Sequence, residues 1–208
     1  MPESLLVGEI RWESVGPLLL ASAAIMGSPG PATISLFAAG SAYGVRRSLP
    51  YLVGIIVGTT IVLVAVAAGI TAALLALPAI GSVLIWISAA YILWLAYRIA
   101  TAPPLSEQTA VSDVPSLAGG ALLGVANPKA WVAIAAVFAS SHLADDATMD
   151  AAAKIAVLTA MIIVICATWL VAGTSLARLF RDPRRARVVN AALAVALIGA
   201  TALAVLFH

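Results

Sequence analysis

Two short motifs place helix-starting residues in the middle of apolar stretches long enough to cross a membrane: Ser28-Pro29-Gly30-Pro31 and Asn127-Pro128-Lys129. Serine and asparagine are favoured helix N-caps, and proline is favoured at the first helical position, where its missing N–H is not needed. Each motif therefore predicts one helix ending and another beginning at a depth where lipid offers no hydrogen bonds. Such a break survives only where it faces protein or a polar cavity. Paired breaks at matching places in two halves of a chain point to a transporter's substrate site.

Proline inside a helix leaves the carbonyl four residues earlier without its donor. Pro29 and Pro31 thus free the carbonyls of Ile25 and Gly27, and Pro128 frees that of Gly124. The restarted helices present N–H groups and partial positive charge at Gly30, Ala32 and Thr33, and at Lys129 and Ala130. Helix N-termini suit a carboxylate and freed carbonyls suit an ammonium group, so a zwitterionic amino acid matches both. The candidate ligands are Ser28, Pro29, Gly30, Pro31, Thr33, Asn127, Pro128 and Lys129. The alternative is a pair of proline kinks that only shape packing.

Lys129 is the sharpest single residue. It falls twelve residues into a span starting near Leu117, roughly 18 Å at the helical rise per residue. A charge at the bilayer centre costs about 2.5–3.5 kcal/mol on insertion scales, so it should face a cavity or a partner. It holds an anionic substrate group, carries a proton, or bonds backbone carbonyls of the first break as a structural lysine.

The elements that must position these residues follow from composition. Of 208 residues, 63% are hydrophobic and 10% charged, and mean hydropathy is +1.11. Soluble domains carry roughly 25% charged residues, so this chain belongs in lipid. Six segments can span: Val15–Ala39, Leu49–Leu77, Ala79–Ala100, Leu117–Ser140, Ala152–Ala177 and Val188–Phe207. The expected fold is an all-α integral membrane protein, one transmembrane domain over residues 1–208, with helices 1 and 4 broken. Residues 101–115 read as the linker between a first repeat (about 15–100) and a second (about 116–208). Three spans per half is an odd number, so the second repeat must run inverted.

Connections one–two, three–four and five–six hold Arg46, Arg47, Arg98, Arg178, Arg181, Arg184, Arg185 and Arg187; the opposite side has Arg11 and Lys154. That bias predicts both termini outside the cytoplasm. Glu3, Glu9 and Glu13 without a basic leader speak against a cleavable signal peptide.

No Asp or Glu falls inside an expected span, which leaves no buried anion to select a basic solute; coupling would then need Lys129, Tyr51 or water. A neutral, small or branched aliphatic substrate is favoured. The net charge of +2 gives no reason to expect nucleic acid as a partner. Cys166, the one cysteine, rules out a disulfide or CxxC pair within the chain. His142 beside Asp145 and Asp146 reads as a solvated loop, so no metal or other cofactor is expected. The pairs Gly40/Gly44, Gly54/Gly58 and Gly120/Gly124 each lie on one helix face and read as close helix contacts. Thr59, Thr60, Thr168 and Thr174 either line a path or bond their own backbone. Trp86, Trp94, Trp131 and Trp169 read as interfacial anchors and packing.

The order of Ser-Pro-Gly-Pro in the first span, Gly44 with Arg46–Arg47, Gly54-x-x-x-Gly58, and Asn127-Pro128-Lys129-Ala130 in the fourth span resembles the LysE/RhtB superfamily of amino-acid exporters. The likeness covers nearly the whole chain. It implies a bacterial inner-membrane protein that exports amino acids or related small metabolites, driven by an ion gradient. Ser28 stands where the family carries threonine. Thr59 follows Gly58 where several members carry an acidic residue, a departure that weighs against a cationic substrate.

An exporter working by alternating access is the leading expectation, with small-molecule substrate and membrane lipid as partners, and a monomer or homodimer as the active unit. A passive small-solute efflux channel and a membrane-complex scaffold are the alternatives. An enzyme is not expected, because neither a cysteine pair nor a deep histidine is available.

Overall fold

The computed structural model describes residues 10–69, 78–101, 114–179, 188, 191–199 and 202. Every regular element among them is helical. They are α1 (Trp12–Ala21), which runs into a π-turn at Ser22–Met26, α2 (Pro31–Ala67), α3 (Pro78–Ala100), α4 (Leu117–Ala126), α5 (Pro128–Ala139) and α6 (Ala147–Leu179). Residues 191–199 are helical as well. Residues 102–113 of the expected linker, the basic run Arg181–Arg187 and much of the sixth expected span lie outside the described residues.

A straight helix as long as α2, with its 37 residues, would run about 55 Å, against a hydrocarbon core of about 30 Å. The chain avoids this by turning back at Gly44, whose φ of 75° and ψ of 168° suit glycine and few other residues. Two hydrogen bonds fix the arms as antiparallel: Ser48 Oγ to the Ala39 carbonyl at 3.1 Å, and Tyr51 OH to Ser35 Oγ at 3.0 Å. Residues 31–43 therefore continue the first expected span beyond its break, and residues 45–67 begin the second.

Glycine seams hold this hairpin to the second half of the chain. On the outgoing arm, a Cβ at Gly40 would lie 2.3 Å from the Leu170 carbonyl oxygen, and one at Gly173 of α6 would lie 1.9 Å from that of Phe37. On the returning arm, a Cβ at Gly54 would meet the Leu117 carbonyl oxygen at 2.1 Å, and one at Gly58 that of Ala121 at 2.4 Å. Gly120 and Gly124 on α4 face the same seam. In lipid, where tails are as apolar as leucine, such backbone approach is what draws helices together. The outward faces are apolar too: Val57, Ile61, Val132, Val164 and Val171 are all exposed.

Contacts between connections show which of them share an end of the bundle. The Arg11 N–H donates to the Leu143 carbonyl at 2.8 Å and its guanidinium pairs with Asp145, so the start of α1 and the α5–α6 loop share one end. Tyr43 OH donates to the Arg98 carbonyl at 3.3 Å, which brings the Gly44 turn to the C-terminal end of α3.

One expectation needs correcting. The fifth span begins before Ala152, so Asp150 lies within α6 and is buried beside Lys154, which is only 2% exposed. Asp150 accepts from the Leu143 N–H at 2.6 Å and from Lys154 Nζ at 2.8 Å. The Lys154 ammonium also sits 4.8 Å from the Phe138 ring centre. Each charge thus finds its partner one helical turn away, and that pairing allows α6 to start earlier than hydropathy alone indicates.

Candidate substrate site

Both breaks form, though not with the caps expected. In the first, Gly30 is the N-cap residue and Pro31, rather than Pro29, takes the first helical position of α2. Ser28 does not cap that helix: its hydroxyl turns back and donates to the Ile25 carbonyl at 2.8 Å. Thr33 supplies the capping oxygen instead, accepting from the Gly30 N–H at 2.9 Å. In the second break Asn127 ends α4 in extended backbone and Pro128 starts α5, with a bend of 59° between the two helices. The Asn127 side chain makes no capping bond; its main-chain carbonyl accepts from the Ala130 N–H at 3.0 Å.

The carbonyls that proline frees are partly occupied from within the protein. Ile25 is served by Ser28, and Gly27 accepts from Trp169 Nε1 on α6 at 3.1 Å. At the second break Trp131 Nε1 donates to the Val125 carbonyl at 2.8 Å. One indole N–H therefore completes each break, a role that the reading of these tryptophans as anchors and packing missed. Gly124 lies in the α2–α4 seam, where a Cβ would sit 2.8 Å from both the Ile55 oxygen and the Thr59 nitrogen.

Lys129 joins the two breaks. Its ammonium donates to the Ser28 carbonyl and, at 3.3 Å, to that of Pro29. Its aliphatic stem lies so close over Gly30 that a Cβ there would come within 2.5 Å of Lys129 Cδ.

Between the breaks is a small, half-open cavity. Gly30 and Thr33 wall it from the first break, and Asn127, Lys129 and Ala130 from the second. Ile55 and Thr59 of α2 and Ile162, Ile165 and Cys166 of α6 close other sides. Among the described residues, Lys129 is the one charged residue of the lining and no carboxylate belongs to it. Of the eight ligands expected from sequence, Gly30, Thr33, Asn127 and Lys129 reach the wall. Ser28 and Pro29 contribute only the carbonyls that hold Lys129, and Pro31 and Pro128 shape the backbone. The α6 residues were missed as a wall because nothing local in the apolar middle of this helix marks the face that turns inward; their spacing of three and four places them on one stripe. Among the described residues no group of three or more His, Cys, Asp or Glu is placed to hold a metal ion.

The family model for LysE type translocators matches residues 23–207, a stretch containing both breaks and every residue of the cavity wall. The chain belongs to the LysE family. As a LysE translocator it is a multi-pass membrane protein that moves a solute, and not an enzyme. It is 33% identical over 175 residues to the cysteine/O-acetylserine efflux protein of Escherichia coli O139:H28 (strain E24377A / ETEC), covering 82% of this chain and 87% of that one. The Escherichia coli (strain K12) protein of the same name is 32% identical over the same length. The Salmonella typhi protein of that name is 43% identical over 82 residues, but that match spans only 42% of its length. No solved structure matches the chain.

Proposed function

We infer that this LysE protein exports small neutral amino acids across the bacterial inner membrane, as a secondary transporter driven by an ion gradient. One observation carries the reading: both helix breaks wall one cavity, whose lone charged lining residue among the described residues is Lys129. A lysine and a helix N-terminus favour a carboxylate, while the absence of a lining carboxylate leaves a basic side chain without a counter-charge. The remaining wall of isoleucine, alanine and methionine suits a short neutral side chain. Cysteine and O-acetylserine, named for the relatives, are of this class.

Alternating access then moves two inverted three-helix halves of a single six-span domain around the cavity. The basic residues beside the Gly44 turn and in the last turn of α3 support both termini outside the cytoplasm.

Efflux from preloaded proteoliposomes tests this function. Saturable loss of L-cysteine or O-acetyl-L-serine that depends on an imposed proton or sodium gradient is expected. Flux that neither saturates nor responds to any gradient would instead mark a passive channel, and absence of flux would favour a scaffold.

A further inference from the structure

A threonine in a membrane helix either lines a path or bonds its own backbone. Thr168 and Thr174 of α6 do the second: their hydroxyls donate to the Val164 carbonyl at 2.7 Å and the Leu170 carbonyl at 3.0 Å, each one turn earlier. That bond is the usual use of a helical threonine hydroxyl. Thr59, on the returning arm of α2, does not make it. Its side chain lines the cavity and is 8% exposed, and its hydroxyl has no hydrogen-bond partner among the described residues.

The hydroxyl opens onto the cavity and not onto lipid. Ile55, Thr59 and Val62 are buried along one stripe of the returning arm, while Val53, Val57 and Ile61 are exposed on the other face. Among the described residues, the unpartnered polar side-chain atoms shut off from solvent belong to Thr60, Tyr91 and Asn127. The Thr59 oxygen is unpartnered and not shut off, so its remaining surface faces the cavity that it lines. Two other polar side chains of the wall are already committed. Thr33 Oγ1 accepts from the Gly30 N–H, and Lys129 holds the carbonyls of Ser28 and Pro29.

Thr59 thus offers the cavity a free neutral group that can both donate and accept. The other wall residues from the returning arm and α6 are Ile55, Ile162, Ile165 and Cys166, a surface that suits a side chain and not a charge. The charged ends of a zwitterion bond best to charged groups and helix termini. We propose that Thr59 reads a hydrogen-bonding group on the substrate's side chain, so that the cavity favours small amino acids bearing a hydroxyl, thiol or ester over hydrocarbon ones of the same shape. The proposal rests on the exporter reading and narrows its substrate class.

The test measures efflux of O-acetyl-L-serine and L-homoleucine from preloaded proteoliposomes holding the wild-type protein, Thr59→Val or Thr59→Ser. L-Homoleucine has the shape of O-acetyl-L-serine with both ester oxygens replaced by carbon. Thr59→Val keeps the shape of the wall and removes the hydroxyl. The ratio of kcat/KM for the ester over the hydrocarbon should fall about threefold to tenfold in Thr59→Val, the range of one neutral hydrogen bond. Thr59→Ser, which keeps the hydroxyl, should keep the ratio. Because both substrates are read on the same variant, the ratio is insensitive to how much protein folds. An unchanged ratio in Thr59→Val would overturn the assignment of Thr59 alone. An equal rise in KM for both substrates would do the same, placing the hydroxyl on the amino or carboxyl end that they share. A wild-type protein that moves neither would overturn the exporter reading and this proposal with it.

Discussion

Lys129 of the second break donates its ammonium to the Ser28 carbonyl of the first, across 101 residues of sequence. The contact ties the start of α5 to the turn that precedes α2. It also shows how a lysine is tolerated at this depth: its charge is spent on carbonyls that proline and a sharp turn have turned out of the helix. A substrate carboxylate would compete with those carbonyls for the same three N–H donors.

Removal of the ammonium tests that competition. Hydrogen bonds to charged groups contribute about 1.5–3 kcal/mol, so Lys129→Met should reduce efflux by at least about tenfold. The variant should still insert, with a modestly lower melting temperature from the loosened breaks. Transport kinetics beside a fluorescence-detected melting curve read both effects, and undiminished efflux would take Lys129 out of the mechanism.

Gly30→Ala approaches the same lysine from the other side. The added methyl carbon would sit 2.5 Å from Lys129 Cδ, so the side chain must swing off the first break. Efflux should fall, while stability changes little because only a flexible side chain has to move. Gly16→Ala has nothing within 4 Å of the new carbon and serves as the silent comparison.

The seams should respond differently, through stability. At Gly173 a Cβ would lie 1.9 Å from the Phe37 carbonyl oxygen, and backbone cannot step aside as a side chain can. Overpacking of this kind costs about 1–3 kcal/mol, so Gly173→Ala should lower the melting temperature clearly. Gly199→Ala, with open space around it, should not.

The buried pair of Asp150 and Lys154 predicts a non-additive result. Stripping one partner from a buried ion pair costs about 3–5 kcal/mol because the other charge is stranded. Asp150→Asn and Lys154→Met should each destabilise strongly, and the double variant less than the sum. Thermal unfolding of the three variants in detergent checks this; simple additivity would show that the two residues act independently.

Much of this arrangement is legible in sequence because proline has few lawful places in a membrane helix. The positions of both breaks and the grouping of Arg46 and Arg47 with Arg98 follow from local chemistry. What was not legible is set by partners remote in sequence. Ser28 looks like a cap but yields that role to Thr33, since Gly30 must stay bare beneath the Lys129 stem. Asp150 looks like loop because hydropathy counts its charge and not the pairing with Lys154 one turn further on. Trp131 and Trp169 complete the two breaks, but only the fold brings Trp169 to Gly27.

Cys166, the one cysteine of the chain, lies in the cavity wall and gives the most direct measurement of the central claim. Alkylation of the purified protein by N-ethylmaleimide, followed by intact mass, reports access to that wall. With both breaks and α6 enclosing one substrate cavity, saturating O-acetyl-L-serine should slow the reaction several-fold, and Lys129→Met should abolish the protection. Alkylation that proceeds at the same rate with and without O-acetyl-L-serine, in a protein that exports it, would place the substrate elsewhere.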